Sequence, residues 1–186
     1  MCSDAAEDRG PGPEDFRDPI EFLYGAHERL RRHCENLVRL AEDPAAAEAP
    51  EIAAAILDFL EKDLPLHRAD EEEDLFPLLE RRSPRPAPGG HDELLSTLEV
   101  LRQEHRDDIE QGHALLAPLR AIAGGQAPRD PEMFRHYLRA FVQLQRGHQA
   151  MENRIVLPAA FERLMAEDLA ELARRMAARR GLLFAG

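Results

Sequence analysis

Residues 67–77 read HRADEEEDLFP and residues 148–158 read HQAMENRIVLP. Both stretches open on a histidine, place a glutamate four residues later, and place a proline ten residues after the histidine. An α-helix turns about 100° per residue, so a four-residue step puts His67 and Glu71 on one face, and likewise His148 and Glu152. Two more histidines, His27 and His105, precede these copies by 40 and 43 residues. The order His, then His-x3-Glu, therefore occurs twice. We read it as a duplicated helical hairpin whose two copies face each other.

The flanks support helix throughout. Apolar residues make up 44% of the 186, with no Trp and many Ala, Leu, Glu and Arg, which favours helix over strand. Asp18-Pro19-Ile20-Glu21 is a helix start: Asp18 caps, Pro19 suits the first helical position, and Glu21 completes a box-like arrangement. The first helix is expected to run to Glu42. The second runs from Pro50 to Arg82, with a kink at Pro65 just before His67. SPRPAPGG (83–90) reads as a loop, and a third helix runs from His91 to Ala123, ended by Gly124-Gly125. Asp130-Pro131 starts a fourth, through His148 to Pro158, and a shorter fifth spans Glu167 to Arg180 before Gly181.

The expected fold is all-α, an up-down antiparallel four-helix bundle with a short extra C-terminal helix. The bundle covers residues 18–181, flanked by a loose acidic tail at 1–17 and a short tail at 182–186. This topology makes a geometric demand on the histidines. His27 and His67 lie 15 and 17 residues from their shared turn, or roughly 22 and 25 Å at about 1.5 Å per residue. The separations at the next two turns are 15 against 14 and 18 against 18 residues. All four imidazoles thus fall at one level of the bundle.

A net charge of −12 argues against a nucleic-acid partner, which requires a basic surface. No apolar run is long enough for a membrane span, and no secretory signal precedes the first helix. The two cysteines, Cys2 and Cys34, form neither a disulfide framework nor a zinc pattern. A cytoplasmic protein is the expectation.

Imidazole with carboxylate suits iron, manganese or zinc. Four His and two Glu exceed what one tetrahedral zinc takes. They match two ions, each held by two imidazoles, with Glu71 and Glu152 bridging. We expect two iron ions joined by a bridging oxo or hydroxo group, with zinc and manganese as alternatives. Each ion keeps room for an exogenous diatomic or peroxide.

The set His27, His67-x3-Glu71, His105, His148-x3-Glu152 resembles the hemerythrin-like, or HHE cation-binding, family. The LFP and LP after the two pairs fit, as does the ending EDLAELARRMAARRG, and the resemblance covers residues 18–181. It departs from the oxygen carriers at two positions. Ile109 stands where they have a further His, and Asn153 stands where they have the fourth helix's carboxylate. The resemblance implies a more open site than a reversible carrier's, with peroxide decomposition, nitric-oxide chemistry, iron–sulfur repair or iron sensing as its range. Ferritin-type bundles differ, since they order the pair as Glu-x-x-His.

Our reading is a di-iron protein binding dioxygen, peroxide or nitric oxide, with catalase- or peroxidase-like turnover. Its rivals are a non-catalytic sensor or storage protein, an iron-responsive interaction module, and a bundle holding structural zinc. Around the site, Glu72 is expected beside the ligands or at the surface, and the rest of the acidic run Asp70 to Asp74 on a solvated face. Ile109 is expected to wall the open side of the site. Tyr24 fits either core packing or a hydrogen bond to a bound ligand. His33, His91, His113 and His136 are expected away from the site, and Cys34 as a small buried residue. Arg174 to Arg180 reads as a solvated helix face.

Overall fold

A computed structural model describes residues 11–84 and 92–183. The expected start at His91, most of the 83–90 loop, residues 1–10 and the end of the C-terminal tail lie outside the described residues. The described chain is all-helical, without a strand. None of its helices is long and apolar enough to cross a membrane.

Helix α1 spans Pro19–Glu42, and Asp18 caps it by accepting from the backbone N–H groups of Ile20 and Glu21 at 3.1 and 3.0 Å. Helix α2 covers residues 49–82 as three α segments, Ala49–Asp58, Leu64–Ala69 and Phe76–Arg82. Two π turns, Phe59–Asp63 and Asp70–Leu75, join them. Helix α3 spans Glu93–Ala123 behind the Asp92 cap and ends at Gly124-Gly125, where Gly125 takes φ +72°. Helix α4 covers residues 131–163: Pro131–Met151, a π turn at Glu152–Val156, and Leu157–Arg163. Helix α5 spans Ala166–Arg179.

The three π turns share a cause. Each ends just before a segment with proline at its second position: Pro65, Pro77 and Pro158. Proline has no N–H to donate, and its ring crowds the carbonyl four residues back. Widening the preceding turn relieves that crowding while the helix goes on. Sequence reading expected only a kink at Pro65 and ended the fourth helix at Pro158. The helix instead continues to Arg163 because the π turn absorbs the proline.

Helix α1 packs on α2 and α4, and α3 packs on the same two. The buried apolar side chains form two clusters. One gathers Leu23, Phe76, Leu98, Leu101 and Leu157, and the other gathers Leu30, Leu37, Ile56, Leu115 and Phe141. Between Leu23 and Leu30 on α1 stands His27, and between Leu101 and Leu115 on α3 stand His105 and Asp108, all buried. A polar belt thus divides the core.

Part of the stretch expected as a loose tail, residues 13–16, is folded. A 3-10 turn at Pro13–Phe16 carries Phe16 fully into the first cluster, where it stacks near Phe22 at 4.4 Å. The Arg180 guanidinium lies over both rings. The acidic run is a solvated face only at Glu73, with Glu72 half-buried. Asp70 is 0% exposed and Asp74 nearly so. Arg179 and Arg180 donate to Asp70 at 2.6 and 2.7 Å, and Arg175 and Arg179 to Asp74 at 3.1 and 2.8 Å. The basic stretch of α5 therefore clamps the π turn that carries Glu71, and burial of two carboxylates explains why Arg179 and Arg180 leave solvent while Arg174 and Arg175 stay exposed.

Candidate metal centre

The six residues singled out by the repeat all come together. His27, His67, Glu71, His105, His148 and Glu152 are buried in the belt. The His27 and His67 ring centroids lie 5.2 Å apart, and those of His105 and His148 4.6 Å apart. Each helix contributes one imidazole from its inward stripe, which is how four sequence-distant histidines reach one level.

The carboxylates tie the two pairs together. Glu71 turns Oε1 to His67 Nε2 at 3.2 Å and to His27 Nε2 at 3.7 Å, and Oε2 to His105 Nε2 at 3.3 Å. Glu152 turns Oε2 to His27 Nε2 at 3.2 Å and Oε1 to His148 Nε2 at 3.2 Å. Two donor groups result, His27 with His67 and His105 with His148. Each takes one oxygen from each glutamate, with donor atoms within 4.8 Å of one another.

The imidazole protons point the same way. His27 Nδ1 lies 2.7 Å from Asn153 Oδ1, His105 Nδ1 2.8 Å from Glu72, and His148 Nδ1 3.0 Å from Glu104. Each partner atom is an acceptor, which assigns a hydrogen to Nδ1 and leaves Nε2 facing inward, able to bind a metal in the neutral form of the ring. His105 Nε2 and His148 Nε2 then face each other at 3.0 Å. Two lone pairs at that distance repel unless a proton or a metal cation lies between them. Two nitrogens bound at right angles to one ion at about 2.1 Å lie about 3.0 Å apart. His27 Nε2, Glu71 Oε2 and both Glu152 oxygens are buried without a hydrogen-bond partner. Those orphaned atoms are what an ion would satisfy, so the residues fit the metal.

Electrostatics show a demand for positive charge at the cluster, which protons meet where no ion is bound. Burial opposes charge on His27, but the negative charge of the adjoining Glu152 and Glu71 carboxylates overcomes it and lifts the imidazole to about 10. Burial likewise opposes charge on His148, where Glu152 and Glu104 lift it to about 10. Burial would raise Glu71, yet the surrounding imidazoles hold it well below the carboxylate range. Two buried carboxylates draw positive charge around themselves. At His67 burial wins, and the imidazole falls to about 4.

Sequence reading missed two outer partners and misplaced a third residue. Glu104 holds His148, and Asn153, noted only as a departure from the carriers, holds His27. Ile109 does not wall the site: it is 41% exposed, and Asp108 is buried instead, accepting from Arg68 at 2.6 Å. The inward stripe of α3 explains this. Leu94, Leu98, Leu101, His105, Asp108, Gly112 and Leu115 are buried at alternating steps of four and three. His105 is reached by a step of four, so the next inward residue is three on. That alternation was present in the sequence. Tyr24 is partly buried against the first apolar cluster, and His113 and His136 are exposed. Cys34 is buried, and burial pushes its thiol up to about 12.

A family model described as the hemerythrin HHE cation binding domain matches residues 18–160. A Haemophilus influenzae protein described only as uncharacterized is 29% identical over 172 residues, spanning 89% of this chain and 91% of that protein.

Proposed function

The chain belongs to the hemerythrin HHE cation-binding family, and on that premise we propose that it is a non-haem di-iron protein acting on a small oxygen or nitrogen ligand. His27 and His67 would hold one ion and His105 and His148 the other, with Glu71 and Glu152 offering an oxygen to each. The helices that carry these ligands form an up-down antiparallel four-helix bundle, and the protein works in the cytoplasm. The observation that carries this reading is the division of labour between carboxylate oxygens. Each glutamate presents one oxygen to each imidazole pair.

Iron in such a nitrogen and oxygen shell supplies a redox-active position for dioxygen, hydrogen peroxide or nitric oxide. The chain's own residues prepare that position. Glu72, Glu104 and Asn153 fix three imidazoles by their Nδ1 atoms, which sets the ring planes and directs Nε2 inward. The apolar clusters above and below the belt limit water. Six ligands for two ions leave the centre open, which favours peroxide decomposition over reversible carriage. Iron content and the optical spectrum of freshly purified protein, before and after peroxide, test the reading. Close to two irons per chain, a spectral change and oxygen release are expected. Iron without oxygen release would instead support a sensor or storage protein, and saturation below two ions would overturn the dinuclear reading.

A further inference from the structure

The two imidazole pairs are not equivalent in what stands behind them. His105 and His148 each donate Nδ1–H to a carboxylate, Glu72 and Glu104. His27 donates to a neutral amide, Asn153, while His67 Nδ1 is buried with no protein partner among the described residues. A carboxylate behind an imidazole makes its other nitrogen more basic and locks the ring, and its loss typically costs about 10–100-fold in metal affinity. An imidazole with nothing behind it has neither benefit.

The same pair is the one approached from outside. A groove of about 670 Å³ between α1 and α2 is lined by Phe22, Ala26, Phe59 and His67 itself. On another side, a cleft of about 320 Å³ between α1 and α4 is lined by Asn153, the partner of His27. Outer support is weakest where the shell meets these openings.

We infer that the two ion positions differ in retention: the ion between His105 and His148 is the resident one, and the ion between His27 and His67 exchanges with the surroundings through the α1–α2 groove. The inference rests on the dinuclear reading above and adds an order of filling to it. The exchangeable position suits a protein that answers to iron supply, since its half-loaded form is populated over a range of free iron.

The test uses full-length protein loaded anaerobically with iron(II), then equilibrated with an iron(II) chelator of graded concentration while iron per chain and circular dichroism are followed. The loaded protein should fall from two ions to one, then to none, with the two steps separated by at least about tenfold in apparent affinity. His67→Asn should abolish the weaker step and keep one tightly held ion. Glu104→Gln should weaken the tighter step by about 10–100-fold and narrow the gap. Departure of both ions in one step from the unaltered protein would overturn the inference while leaving the dinuclear reading intact. So would an unmoved tighter step in a folded Glu104→Gln protein. Failure to load two ions at saturation would overturn both.

Discussion

Around Glu71 and around Glu152 the chain makes the same π turn a few residues after a histidine and just ahead of a proline, but the two turns are secured by different forces. The Asp70–Leu75 turn is gripped from outside, where Asp70 and Asp74 are buried against Arg175, Arg179 and Arg180 of α5. Among the described residues, no arginine grips the Glu152–Val156 turn in this way. Val156 and Leu157 hold it from within the apolar cluster, Asn153 reaches His27 at 2.7 Å, and Arg154 is exposed. A duplicated pattern has thus kept its ligand geometry while its two copies acquired different supports. The spacing of ligands and the means of holding them are separable properties.

The sharpest way to break the comparison is to remove one carboxylate from each copy. Because Glu71 and Glu152 each face both imidazole pairs, Glu71→Ala and Glu152→Ala should fail alike, each taking iron per chain well below two. His136→Ala, at an exposed site on α4, should leave the count unchanged. Full occupancy in either carboxylate variant would undo the equivalence of the two copies.

A smaller effect should separate the copies. Asp70→Ala leaves two guanidinium groups without their main buried partner and should lower stability by about 2–4 kcal/mol, read from urea denaturation. Asn153→Ala, at the corresponding turn, removes one partly buried hydrogen bond from a residue that is itself exposed, and should cost about 1 kcal/mol. Equal losses would mean that the α5 clamp contributes nothing particular to its turn.

These contrasts also mark what the sequence could and could not reveal. The six belt residues were legible because helical phase and distance from the turns are arithmetic on spacing. The caps at Asp18 and Asp130 were legible because only a short polar side chain beside proline does that work. The π turns at Pro77 and Pro158 were not, since proline within a helical run reads equally as a stop or as a widened turn. Nor was the burial of Asp70 and Asp74. Their neighbours in space lie 101 to 110 residues away on α5, and no local pattern says where a terminal helix docks. Ile109 was a different kind of miss, a one-residue error of phase that the alternating steps of α3 could have corrected.

The smallest prediction turns on a second comparison, between two histidines of α1. His27 is surrounded by acceptors and raised to about 10, whereas His33 stacks on Phe59 at 4.2 Å and is pushed down to about 4, chiefly by burial. Unfolded, His33 takes up its proton near pH 6.5. Between about pH 6.5 and 4 the unfolded chain therefore binds the extra proton, and stability must fall as pH drops through that window. His67, also lowered to about 4, contributes with the same sign, so the slope of one protein cannot be assigned to one residue. The difference between the unaltered protein and His33→Phe can be, because His33 lies nearly two turns from His27 and phenylalanine keeps the stack without the proton. The unfolding midpoint of His33→Phe should depend less steeply on pH within this window and run parallel to the parent above pH 7. Identical slopes would mean that the His33 ring keeps its ordinary affinity for the proton in the fold.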